Sequence, residues 1–184
     1  MVVVWIVLGL VVLLAIFAIV SYNGLIRGKN QVENSWSQID VQLKRRIDLI
    51  PNLVETVKAY AAHEKETLDA VIRARNAAIA APSDPHAQAA ADNMMTGALR
   101  QVFALSEAYP DLKANQNFLA LQEELTATEG RVAYARQFYN DAVLDYNNKI
   151  QQFPGSIFAG SLKMDKREYF EADEAARSAP AVDF

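Results

Sequence analysis

The 184-residue sequence has no cysteine, few glycines and prolines, no excess of basic charge and no strand-like alternation. Without cysteine there are no disulfides, no thiol catalysis and no thiolate-held metal, while the compartment stays open. A net charge of −4 provides no basic field, so no nucleic-acid partner is expected. Seven glycines and six prolines, against abundant alanine, exclude a loop-rich chain and favour long helices.

Chemical motifs are missing as well. His63-Glu64-Lys65-Glu66-Thr67 begins like a zinc-protease signature, which needs a second His four residues on to bring both imidazoles to one helix face. Position 67 is Thr. Neither His63 nor His86 follows a Glu by three residues, as a carboxylate di-iron site requires. Gly155 and Gly160 lack the strand and the spacing of a phosphate loop. No catalytic residue, cofactor, metal or small-molecule substrate is expected. A hydrolase could be built only on His63 with Glu64 or Glu66, a pair that on a helix is ordinarily a solvated one.

What the sequence does have is an uncharged run, Val2 to Val20, of the roughly 20 residues that cross about 30 Å of hydrocarbon. A cleaved signal peptide would have a basic start, a shorter apolar region and a small-x-small cleavage site. Here nothing basic precedes the run, and Ala18-Ile19-Val20-Ser21 is a poor site. A soluble core helix is rarely apolar on every face. Residues 1–21 are therefore expected to form a transmembrane helix, with Trp5, Tyr22, Arg27 and Lys29 at the membrane interfaces. Arg27 and Lys29 follow the span and no fixed charge precedes it, which places the remaining chain in the cytoplasm rather than outside.

From Tyr22 the pattern turns amphipathic. Trp36, Ile39, Leu43, Ile47, Ile50, Val54, Val57, Ala61, Leu68, Val71 and Ile72 step by three and four, so one rod is expected from the membrane to about residue 80. Pro51 removes a hydrogen bond and crowds the Ile47 carbonyl, yet the apolar phase does not reset there. A kinked but continuous helix is expected in preference to a tight turn. Lys44, Arg45 and Arg46 read as a solvated or bundle-facing charge run. On a straight helix they lie about 35 Å beyond the span, too far for its headgroups.

Ala81-Pro82-Ser83-Asp84-Pro85 marks a loop. A short helix is expected over about Asp92 to Ala108, ended by Tyr109-Pro110-Asp111, and a second long one over about Asn115 to Gln152. Phe118, Leu125, Val132, Tyr139, Tyr146 and Phe153 recur every seven residues, a seam for packing on another long helix. Glu124, Glu129, Arg131 and Arg136 are placed to meet charges of the first rod in pairs that set register more than they add stability. Phe153-Pro154-Gly155 is a stop. Ser156 to Leu162 then reads as an apolar connector, and Glu168 to about Arg177 as a last short helix.

The stretches Tyr22-Asn23-Gly24-Leu25, Trp36 to Arg46, Asp48 to Val54, Leu121 to Leu125, Ala135 to Asn140, Tyr146-Asn147 and Phe153-Pro154-Gly155 together resemble the LemA family, in order along nearly the whole chain. The resemblance implies a bacterial single-pass membrane protein of the plasma (inner) membrane with a long-helix bundle. It brings no catalytic residues. It also implies a place in envelope organisation, since a relative serves in building magnetosome membranes, and a membrane metalloprotease of the HtpX type as a partner.

The expected fold is all-α: an N-terminal transmembrane helix continuing into an antiparallel long-helix bundle of about four helices. The bundle domain covers residues 22–177, and a frayed tail residues 178–184. The expected function is a non-enzymatic, self-assembling scaffold anchored in a lipid bilayer. The alternative is an adaptor for a membrane protease or quality-control complex. Within the connector, Ile157, Phe158 and Leu162 are candidate contacts for a protein or lipid neighbour, set against a plainer role as a cap on the bundle's own core.

Overall fold

Long apolar periodicities and scarce helix breakers leave the backbone few alternatives to helix. The computed structural model describes residues 1–170, and among these every regular element is helical: α1 Val2–Tyr60, α2 Lys65–Ala80, α3 Pro85–Ser106, α4 Pro110–Lys113, α5 Gln116–Gln151 and α6 Gly155–Ser161. The fold is an all-α bundle, with four substantial helices and two short ones. The expected frayed tail and most of the expected last helix lie outside the described residues. Residues 164–170 are not helical, so that helix does not open at Glu168.

Pro51 lies inside α1, which continues through it as the uninterrupted apolar phase requires. The expected single rod to residue 80 does not hold, because α1 ends at Tyr60 and residues 61–64 turn before α2. No glycine or proline marks this break; contacts distant in sequence hold it. Tyr109 donates its hydroxyl proton to Glu64 at 2.7 Å, Asn115 donates to the Tyr60 hydroxyl at 2.9 Å, and Ala61 is buried. Tertiary contacts override propensity here.

The other ends follow local chemistry. Asp84 caps α3 by accepting from the Ala87 amide at 2.8 Å, with Pro85 at the first helical position, where its missing N–H costs nothing. The helix thus begins seven residues before the expected Asp92. Asn115 caps α5 in the same way, accepting from Phe118 N at 3.0 Å. The stretch expected as a connector is helical as α6.

The chain divides into two units, and α1 and α5 contribute to both. The first comprises Met1–Ser37 and Gln137–Glu168. Its buried side chains include Leu25 and Val32 of α1, Val143, Tyr146 and Ile150 of α5, and Ala159 of α6. The Trp36 and Tyr139 rings meet at 5.4 Å. The extended segment after α6 is fastened to α5 by side chains. Tyr146 donates to the Asp165 carbonyl at 3.2 Å and Tyr139 to that of Glu168 at 2.9 Å. The Asn147 amide pairs with both the N–H and the C=O of Arg167, each at 2.9 Å, as a neighbouring strand would.

The second unit comprises Gln38–Arg136 with Tyr169 and Phe170. Five helices supply one apolar core: Ile50, Leu53 and Val57 from α1, Leu68 and Val71 from α2, Met95, Leu99 and Val102 from α3, Leu112 from α4, and Phe118 and Leu125 from α5. The seven-residue seam is buried from Phe118 through Tyr146 and fails at Phe153, which is exposed because α5 has already ended at Gln151.

Candidate functional site

The first candidate is a charged centre inside the second unit. Buried positions on α1 run Ile39, Leu43, Arg46, Ile50, Leu53 and Val57, so the helical period itself directs Arg46 inward, and its side chain is 2% exposed. On α3 the same logic buries Asp92 between Ala89 and Met95. On α5, Arg136 follows the buried Val132 and Ala135. The three meet. Arg46 Nη1 donates to Asp92 Oδ1 at 2.7 Å, and Arg136 Nη2 pairs with Asp92 Oδ2. Arg46 Nη2 lies 3.8 Å from Glu129, and the Arg136 guanidinium lies over the Phe170 ring, 4.8 Å from its centroid.

Of the triple-basic run, then, Arg46 faces the bundle. Arg45 is half-exposed and pairs with Glu124 at 2.6 Å, while Lys44 is exposed. The expected pairing of Glu124 and Glu129 with the first helix is present, whereas Arg131 turns to Glu124 on its own helix at 3.2 Å. Asp92, the anion at the middle, was not expected. Its one signal in the sequence is a lone acid at a core position among alanines and methionines.

Burial lowers the Arg46 pKa; Glu129 opposes the shift and Arg100 adds to it. Burial also lowers that of Arg136, helped by the Arg46 charge. Arginine nonetheless keeps its proton in proteins, so neither can serve as an acid or base. Both Asp92 oxygens are engaged, and the adjoining void of about 10 Å³, lined by Leu43, Ala78 and Met95 among others, holds one water at most. The arrangement can fix the register of three helices. It has no room for a substrate.

The second candidate is the apolar N-terminal end with the α5–α6 turn. α1 carries one segment long and apolar enough to cross a membrane, of mean hydropathy 3.3 and with none of it buried. Trp5 and Tyr22 are exposed near its two ends. Arg27 donates to the Asn23 carbonyl at 3.2 Å, and Lys29 lies 3.9 Å from Glu33. On α6, Ile157 is 63% exposed, Phe158 is half-buried and Leu162 is exposed, while Gly155 and Ala159 face inward. Ile157 therefore does not cap the core. A Cβ on Gly155 would stand 2.0 Å from the Lys149 carbonyl oxygen and 3.3 Å from Leu25 Cδ2, so α6 is seated by the absence of a side chain.

An open groove of about 640 Å³, bordered by Asn52, Glu55, Tyr60, Asn115 and Leu121 among others, has no ionisable cluster. Among the described residues no three His, Asp or Glu side chains group as metal ligands. His63 is exposed in the turn after α1, and Glu64 is engaged by Tyr109. That hydrogen bond raises the Tyr109 pKa.

Residues 35–184 match the model of the LemA family. Protein LemA of Metamycoplasma hominis is 28% identical over 159 residues, covering 84% of this chain and 71% of that protein. Magnetosome proteins MamQ 1 and MamQ 2 of Paramagnetospirillum magneticum are each 23% identical over 179 residues, covering 84% of this chain and 66% of theirs. The chain thus spans about two thirds of the length of these magnetosome relatives.

Proposed function

The chain belongs to the LemA family, and from that premise we propose that it is a non-enzymatic scaffold, anchored in the bacterial plasma membrane by the first turns of α1, that assembles with copies of itself. One observation carries the reading: the apolar segment and the first buried residues, Leu25 and Val32, stand on the same uninterrupted helix. A helix without a flexible joint ties its packed partners to the bilayer mechanically, as a scaffold needs and a tethered enzyme does not. Surface apolar residues such as Val41, Ile79 and Tyr134 offer contacts for a neighbouring copy. The magnetosome relatives add support, since their names assign them to the magnetosome. Arg27 and Lys29 after the span favour a cytoplasmic bundle.

The test is the native mass of the full-length protein extracted together with its surrounding lipid. A regular multiple of 20.4 kDa is expected. A complex of fixed mass containing a second polypeptide would instead make the chain an adaptor, with a membrane protease as the first candidate to look for. A lone subunit at every concentration would overturn self-assembly.

A further inference from the structure

Phe17 lies within the apolar run of α1, yet its ring meets that of Phe153, with centroids 6.2 Å apart. Phe153 stands in the turn between α5 and α6 and is 73% exposed. A residue in contact with Phe17 sits at the depth of Phe17. That depth is about 5 Å inside the end of the apolar run at Val20, from a rise of 1.5 Å per residue. We propose that the α5–α6 turn and α6 form a second membrane-contact element, a short wedge inserting Phe153 and Ile157 into the headgroup–acyl boundary beside α1. The inference rests on the anchor reading and deepens it.

Four features of the first unit fit a lipid surface as the occupant. Ile157 holds the outward position of α6 and is 63% exposed, opposite Gly155 and Ala159, which pack inward, while Phe158 at the border is half-buried. Interfacial elements insert about 5–10 Å, the depth set by the contact with Phe17. Four backbone amides here have partners: Ser156 N donates to Gln152 O at 2.9 Å, Ile157 N to Pro154 O at 3.2 Å, Leu162 N to Phe158 O at 3.0 Å and Met164 N to Ala159 O at 3.0 Å. Backbone near hydrocarbon must satisfy this condition. Lys163 and Lys166, both exposed, follow directly, and cations of this kind suit anionic headgroups.

Gly155 fixes the wedge beside α1, since a Cβ there would collide with the Lys149 carbonyl and press on Leu25. The wedge turns a single-pass anchor into a two-point one, which resists tilt and rotation of α1 in the bilayer.

Because the chain has no native cysteine, single cysteines can carry an environment-sensitive fluorophore. The sites are Leu10 in the anchor, Ile157 in the wedge, and Asp141, exposed on α5 about 15 Å before its end. The full chain is reconstituted in vesicles of zwitterionic and anionic phospholipid bearing a nitroxide on the upper acyl chain. Labels at Leu10 and Ile157 should be quenched several-fold more strongly than the label at Asp141. Quenching at Leu10 with Ile157 no different from Asp141 overturns the wedge and leaves the anchor standing. No quenching at Leu10 sinks the anchor reading and the wedge with it. A shielded Ile157 label that lipid nitroxides do not reach, but that dilution exposes, assigns this face to a second copy and also overturns the wedge.

Discussion

The two units use the same helices in different ways. In the first, rings and a close backbone approach do the holding: Trp36 against Tyr139, Tyr146 beside Gly28, and Gly155 against the Lys149 carbonyl. In the second, an aliphatic core surrounds a buried Arg–Asp–Arg centre. Tight apolar contact adds stability through area and dispersion but tolerates sliding. A buried ion pair adds little net stability and punishes any register that separates its partners. The difference teaches a division of labour, in which the first unit suits a seat beside a bilayer and the second suits a defined helix alignment.

The largest effect that would sharpen this contrast is expected from Asp92→Leu. It leaves Arg46 and Arg136 facing each other, with Glu129 the remaining acid near Arg46, and should cost about 3–5 kcal/mol. Thermal melting of the detergent-solubilised full chain, followed by circular dichroism, checks it. A melting point unchanged from the parent would mean the centre is already solvated.

In the first unit, Gly155→Ala must displace either α6 or the last turn of α5, at a cost of about 1–3 kcal/mol. Amide exchange should quicken across residues 153–162 and hardly at all near Asp92. A global loss of protection would contradict the separation of the two units.

Alkaline pH should act on the first unit next. Burial raises the pKa of the Tyr139 and Tyr146 hydroxyls above the ordinary 10.0. An unfolded chain gives up these protons first, so above that value the folded state binds more protons than the unfolded one. Stability is therefore full below about pH 10 and falls as pH rises further. Denaturant melts on either side of that pH check the sign, and a Tyr139→Phe, Tyr146→Phe chain should lose the share of the slope these two carry, leaving that of Tyr109.

The smallest effect is expected at Gly28. A Cβ there would meet Tyr146 Cδ2 at 3.5 Å, an ordinary contact, and alanine is the better helix former by up to about 1 kcal/mol. Gly28→Ala should leave the melting point level or slightly raised. A marked fall would show that the helix approach is closer than the geometry gives.

Much of this could be read from residue spacing. The α5 seam from Phe118 to Tyr146 and the passage of α1 through Pro51 both follow from a period that side chains must obey. Glu124 and Glu129 were legible as partners of the first helix because opposite charges near a seam have few other places to go. The break at residues 61–64 was not, because it is held by Tyr109 and Asn115, which lie far along the chain. Asp92 was hidden for the same reason, its two partners being distant in sequence. For Ile157 the sequence left an outward contact and a cap both open, because the inward positions of α6 are taken by Gly155 and Ala159, and small residues give no apolar signal.

The most direct test of the division of labour is the stability of the triple variant Arg46→Met, Asp92→Leu, Arg136→Met, measured beside Asp92→Leu by the same thermal melt. If the centre sets register rather than stability, the triple variant recovers most of the loss and melts near the parent, while its amide exchange across α3 becomes less uniform. A triple variant that melts as low as Asp92→Leu, or lower, would contradict that account and make the buried charges a net source of stability.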